Sequence, residues 1–127
     1  MAESPLIAIV DDDASICDAL KSLLRAVGWR AEGFTSAEAF CQSGEVHTTA
    51  CLLLDVQLPG ISGLELQRQL RSSQARIPII FITAHGNEAM RAQALQAGAV
   101  AFFAKPFNDT ALLEAIQTAL APDSGGT

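Results

Sequence analysis

Five short apolar segments, at about residues 6–10, 29–34, 50–54, 77–82 and 99–103, recur along the chain with helix-like stretches between them. A helix between two strands carries the chain back across the sheet, so the pattern reads as consecutive βαβ units around one parallel sheet. In the first helical stretch Ile16, Leu20, Leu23, Leu24 and Val27 fall at helical spacing, and Gly28 follows as a stop. A second helix opens at Ser36 and contains Glu38, Phe40 and Cys41; a third starts after Ser62-Gly63 and turns Leu66 and Leu70 inward. The fourth, 87–97, is Ala-rich and weakly patterned, which predicts a face less committed to the core. The fifth puts Leu112, Leu113, Ile116, Ala119 and Leu120 on one side, with Asn108 or Asp109 as its cap.

The 127 residues suit a single domain, read here as 1–121, with 122–127 as a linker or tail. The apolar runs fall far short of the ~20 residues a membrane-spanning helix needs. The opening Met1-Ala-Glu-Ser-Pro5 lacks the basic and apolar regions of a secretory signal, so a cytoplasmic protein is expected. A net charge of −6 disfavours contact with nucleic acid phosphates or anionic lipid. If DNA is the eventual target, another domain must touch it. Cys17, Cys41 and Cys51 are odd in number and not closely paired, so reduced, buried thiols are expected rather than disulfides or a zinc site. Trp29, near the second strand, is read as packing.

In open α/β sheets ligands bind beyond the carboxyl ends of the strands. The first strand ends here in Asp11-Asp12-Asp13, the third in Asp55, the fourth in Thr83-Ala84 and the fifth in Lys105-Pro106. If the first and third strands are neighbours, several carboxylates converge on one pocket. Close like charges repel, and a hard divalent cation on oxygen ligands relieves them, Mg²⁺ best of all, with Mn²⁺ as a substitute. For the acidic triplet alone, capping of the next helix by Asp12 or Asp13 is the simpler account. Lys105 alone reads as an ordinary salt bridge and Thr83 as a satisfied strand-end hydroxyl. Their joint occurrence with Asp55 instead suggests a carboxylate nucleophile beside an ammonium and a hydroxyl, the equipment of phosphoryl transfer.

These motifs, in order, resemble the receiver domain of two-component response regulators, a CheY-like superfamily: Asp11-Asp12, Asp55-Val-Gln-Leu-Pro-Gly-Ile-Ser-Gly63, Thr83-Ala84 and Phe102-Phe-Ala-Lys105-Pro106-Phe107. The likeness covers about Leu6 to Leu120. Phe81-Ile-Thr-Ala-His-Gly86 and Lys105-Pro-Phe107 look most like the FixJ branch of transcriptional regulators, whose output is a helix-turn-helix domain. The resemblance implies a doubly wound, flavodoxin-like α/β fold: a five-stranded parallel sheet of order 2-1-3-4-5 flanked by five helices. It implies phosphorylation of Asp55 by a sensor histidine kinase. Asp12 would ligate Mg²⁺ directly, Asp11 mainly through water, with the Gln57 backbone carbonyl as a further ligand; Asp13 is left to the helix start. Thr83 and Lys105 would bind phosphoryl oxygens and Ala84 would keep the approach to Asp55 open. Lys105-Pro106 resembles the family's cis peptide, with a trans turn as the alternative.

Phosphorylation would draw Thr83 and Lys105 inward, and Phe102 would act as the coupled switch aromatic, with core packing as the competing account. The readout face would be the fourth helix, fifth strand and fifth helix, used for phosphorylation-dependent homodimerisation or docking of an output domain. Ala101 stands where many receivers carry an acidic residue, so an apolar contact through Val100 and the fourth helix is expected. His85 is read as an exposed loop histidine or a residue that tunes phosphoryl lifetime, and Gln57 shares that second role. The chain is expected to be a self-modifying switch rather than an enzyme. A flavodoxin-like FMN site is disfavoured by the three aspartates, and a haloacid-dehalogenase-like phosphatase is the stronger alternative through Asp11-x-Asp13, Thr83 and Lys105.

Overall fold

Five strands, β1 (Leu6–Val10), β2 (Arg30–Phe34), β3 (Thr49–Leu54), β4 (Ile79–Thr83) and β5 (Ala101–Ala104), pair in parallel in the order β2-β1-β3-β4-β5. Every residue of β1 and β4 is buried, and all of β3 except Ala50, because helices cover both faces of the sheet. This is why those strands read as continuous apolar runs, whereas edge strand β2 exposes Arg30 and Glu32 on alternate positions. The computed structural model describes residues 5–84 and 86–120. His85 and the tail at 122–127 therefore lie outside the described residues.

The helices are α1 (Ala14–Ala26), α2 (Ala37–Gln42), α3 (Gly63–Ser72), α4 (Glu88–Gln96) and α5 (Asp109–Leu120), with a 3₁₀ turn at Val46–Thr48. Side-chain oxygens cap their N-termini: Asp13 accepts from the Ser15 amide, Ser36 from Ala39, Ser62 from Glu65, Asn87 from Met90 and Asn108 from Ala111. Asn108, not Asp109, therefore caps the last helix.

Alternate strand residues feed two cores. On one face Ile7, Ile9, Leu53, Ile80 and Ile82 meet Leu20 and Leu24 of α1 and Leu112 and Ile116 of α5. On the other Ala8, Val10, Leu52, Leu54 and Phe81 meet Phe40 of α2, Leu66 and Leu70 of α3 and Ala94 of α4. Each fully buried Leu or Ile contributes about 1.5–3 kcal/mol. Trp29 packs against the first cluster, as expected.

Helix α4 buries only Ala94. Polar ties supplement that packing: the buried Gln67 amide donates to the Ala94 carbonyl at 3.1 Å, and Arg71 Nη1 to the Ala97 carbonyl at 3.1 Å.

The expectation of three buried thiols fails at one position. Cys17 and Cys51 are buried and Cys41 is exposed; all three are free. Helix α2 turns Ala37 and Phe40 inward, and the next residue lies about 100° further around the helix. Burial pushes the Cys51 thiol up to about 12, so it stays protonated. No described helix is long and apolar enough to cross a membrane.

Candidate functional site

Strands β1 and β3 are neighbours, with Val10 level with Leu54, so the residues that follow them emerge side by side at the carboxyl edge of the sheet. The Asp55 amide donates to the Val10 carbonyl at 3.0 Å, extending the ladder one step and fixing the carboxylate on a rigid base. Asp11 and Asp55 are 3% and 6% exposed. Asp12 is exposed at the rim. One carboxylate oxygen from each of Asp11, Asp12 and Asp55 lies within 4.8 Å of the others.

Strand β4 delivers Thr83, fully buried, two residues past the Phe81 that pairs with Leu54. Thr83 is level with Ala104 on β5, and the Lys105 amide donates to the Thr83 carbonyl at 2.9 Å. The Lys105–Pro106 peptide is cis. Lys105 Nζ reaches Asp11 Oδ2 at 2.6 Å and Asp55 Oδ2 at 3.2 Å. The remaining Asp55 oxygen, Oδ1, accepts from the Gln57 amide at 2.9 Å. Gln57 thus meets Asp55 through its N–H; Ala84 is exposed at the mouth.

Burial raises the Asp55 carboxyl above its ordinary value; the Gln57 amide and Lys105 pull it back in part, and Asp11 adds repulsion. For Lys105, burial alone would lower the ammonium, but the hydrogen bond and charge of Asp11, with Asp55 behind them, raise it overall. The ammonium therefore stays charged at neutral pH.

The Asp13 carboxylate caps α1, accepting from the Ser15 amide, and is not one of the three that cluster. The cluster that remains is all carboxylate oxygen, the donor set a hard divalent cation such as Mg²⁺ or Mn²⁺ prefers. Phe102 is half-buried, its ring 6.0 Å from that of Phe81.

Sequence reasoning gave no role to Gly86. A Cβ there would lie 2.7 Å from Thr83 Cγ2 and 2.9 Å from Phe102 Cε1, so the loop backbone sits directly against both switch candidates. The signal available was a glycine three residues beyond the strand-end threonine.

The profile of the response regulator receiver domain matches residues 7–117. This chain belongs to that family. Response regulator protein TmoT of Ectopseudomonas mendocina is 47% identical over 118 residues, 93% of this chain and 54% of its own length. Transcriptional regulatory protein FixJ of Azorhizobium caulinodans is 37% identical over 120 residues, 94% of this chain and 57% of its own. The chain spans about half the length of the curated relatives it matches. The solved structure of FixJ-N superposes with a TM-score of 0.82 at 38% identity, covering 94% of this chain and 95% of that one. The chain is thus a receiver domain of two-component response regulators, similar to those of transcriptional regulators. The haloacid-dehalogenase-like alternative has no support, and the capping role of Asp13 removes the second aspartate of the motif it relied on.

Proposed function

We propose that Asp55 accepts a phosphoryl group from the phosphohistidine of a sensor kinase, in a reaction that requires Mg²⁺ or Mn²⁺ held by Asp11, Asp12, Asp55 and the Gln57 carbonyl. The observation that carries this reading is the convergence of three carboxylates with the Lys105 ammonium, which bridges Asp11 and Asp55. An Asp55 oxygen attacks phosphorus as the bond to the histidine nitrogen breaks, giving an acyl phosphate. The bound cation would supply positive charge against the incoming phosphoryl oxygens. Lys105 offers a second positive charge, Thr83 a hydroxyl, and Ala84 an unobstructed mouth.

The new group brings roughly −1.5 to −2 charges and strong acceptors, which compete with Asp11 for Lys105 and attract Thr83. Phe102 is the residue through which that movement is read. Its ring and Thr83 both lie against the same loop residue, Gly86, which places a shift of Thr83 beside the ring. The readout face is α4, β5 and α5. Exposed Val100 beside the weakly embedded α4 supports a phosphorylation-dependent homodimer contact of apolar character there. In a longer protein the output is a helix-turn-helix domain that meets DNA, a role the acidic charge of this chain leaves to other residues. The domain acts in the cytoplasm as a self-modifying switch rather than a multiple-turnover enzyme.

The metal assignment is tested by titrating Mg²⁺ into wild type and Asp12→Ala. Affinity is expected to fall roughly tenfold or more, with chelation abolishing labelling by acetyl phosphate; equal affinities would remove Asp12 from the site.

A further inference from the structure

We propose that Glu38, in the first turn of α2, is a positioning residue for the acceptor site: its carboxylate latches the tip of the loop between β3 and α3. The proposal rests on the phosphoryl-acceptor reading above.

Two consecutive residues of that loop meet one oxygen. The Ile61 amide donates to Glu38 Oε2 at 3.1 Å, across 23 residues of sequence. Gly60, with φ +72°, brings its backbone so close that a Cβ there would collide with the same oxygen. A side chain at 60 would be strained by that φ and would also push the carboxylate away, so glycine at 60 and glutamate at 38 fit as a pair.

The loop runs from the phosphoryl acceptor to α3, and its base is already closed. The Gln57 amide binds Asp55 Oδ1, and the Gly63 amide binds the Val56 carbonyl at 2.9 Å. In its outer part Leu58 and Ile61 pack against the core while Pro59 and Gly60 are exposed, and among the described hydrogen bonds Glu38 is the side chain from outside that fastens the tip. The anchor is firm: Ala37 and Phe40, on either side of Glu38, are fully buried, and Ser36 caps the helix. A carboxylate in a helix's first turn is also favoured by the helix dipole, and its bond to a backbone N–H is charge-assisted.

Holding the tip fixes the path of the backbone through Gln57, whose N–H orients Asp55 and whose carbonyl is the proposed cation ligand. Freed from Glu38, the loop samples other paths and the ligand set loosens. Partners that orient metal ligands from behind typically change affinity by about 10–100-fold when removed.

The test measures Mg²⁺ affinity by calorimetry for wild type, Glu38→Ala, Glu38→Asp and Glu38→Gln, with urea midpoints in chelator and hydrogen exchange at the Ile61 amide. Aspartate keeps the charge near the helix start but falls one methylene short of the loop. Glutamine keeps both the reach and an acceptor oxygen. The latch predicts Mg²⁺ affinity near wild type for Glu38→Gln and a loss of about tenfold for Glu38→Ala and Glu38→Asp, with faster exchange at Ile61 in those two. Affinity retained by Glu38→Asp and lost by Glu38→Gln would mean that charge alone matters, and the latch fails. Lower urea midpoints with Mg²⁺ affinity unchanged in all three would reduce Glu38 to a structural role, again overturning it. Wild type that binds no Mg²⁺ would defeat the acceptor reading as well, an outcome distinct from either.

Discussion

Lys105 lies closer to Asp11 than to the proposed acceptor: its Nζ is 2.6 Å from Asp11 Oδ2 and 3.2 Å from Asp55 Oδ2. The ammonium is thus shared between a proposed cation ligand and the nucleophile. A phosphoryl group on Asp55 must win it from Asp11, which makes Lys105 a measure of how the site's charges balance.

Replacing Lys105 by Met leaves Asp11 and Asp55 facing each other without their bridging cation. In chelator, Lys105→Met is expected to lose about 2 kcal/mol, below the 3–5 kcal/mol for a fully buried pair because Lys105 is partly exposed. Mg²⁺ affinity should rise, since a competing positive charge has gone. The wild-type ammonium is raised above 10.5, so its contribution is complete below that pH and disappears as pH rises through the folded value. Urea melts with and without Mg²⁺ check both points; a variant as stable as wild type in chelator would refute the bridging role.

Asp55→Asn should stabilise the protein in chelator at neutral pH, by on the order of 1 kcal/mol, because it removes a desolvated charge beside Asp11. The sign follows from the raised carboxyl of Asp55. Stability from its protonated form is present below the ordinary carboxyl value of 3.8 and is lost as pH rises through the folded value. The advantage of Asn therefore grows with pH across that window and then levels off. Denaturation of both proteins from pH 3 to 8 checks it, and a constant difference would contradict the assigned cause.

Gly86→Ala places a methyl against Thr83 and Phe102, a steric conflict expected to destabilise by about 1–3 kcal/mol. Phe102→Leu removes the ring edge and should recover part of that loss. A double-mutant cycle is expected to give a coupling of at least about 0.5 kcal/mol, whereas additive effects would mean that the loop and the ring are independent.

The architecture was legible because continuous apolar runs alternate with helix-patterned stretches, and Ser36 and Ser62 mark helix starts. The division of β1 into Ile7 and Ile9 for one core and Ala8 and Val10 for the other was not, because all four are apolar. Asp11, Asp12, Asp55, Thr83 and Lys105 were legible as a set because a parallel sheet brings strand ends to one edge. What stayed hidden depends on distances across the fold. Glu38 reads as an ordinary first-turn acid until the loop tip is found against it, and Gln67 as a surface amide until α4 covers it. The exposure of Cys41 turns on which face of a six-residue helix packs inward, and a helix that short carries too few apolar residues to say.

The central claim is that Asp55 is the acceptor, and peptide mapping tests it most directly. Wild type and Asp55→Asn are incubated with acetyl phosphate and Mg²⁺ and analysed by mass spectrometry. One phosphoryl group on the peptide containing Asp55, absent from the variant and from samples with chelator, is the expected result. Undiminished labelling of Asp55→Asn would place the acceptor elsewhere and contradict the claim.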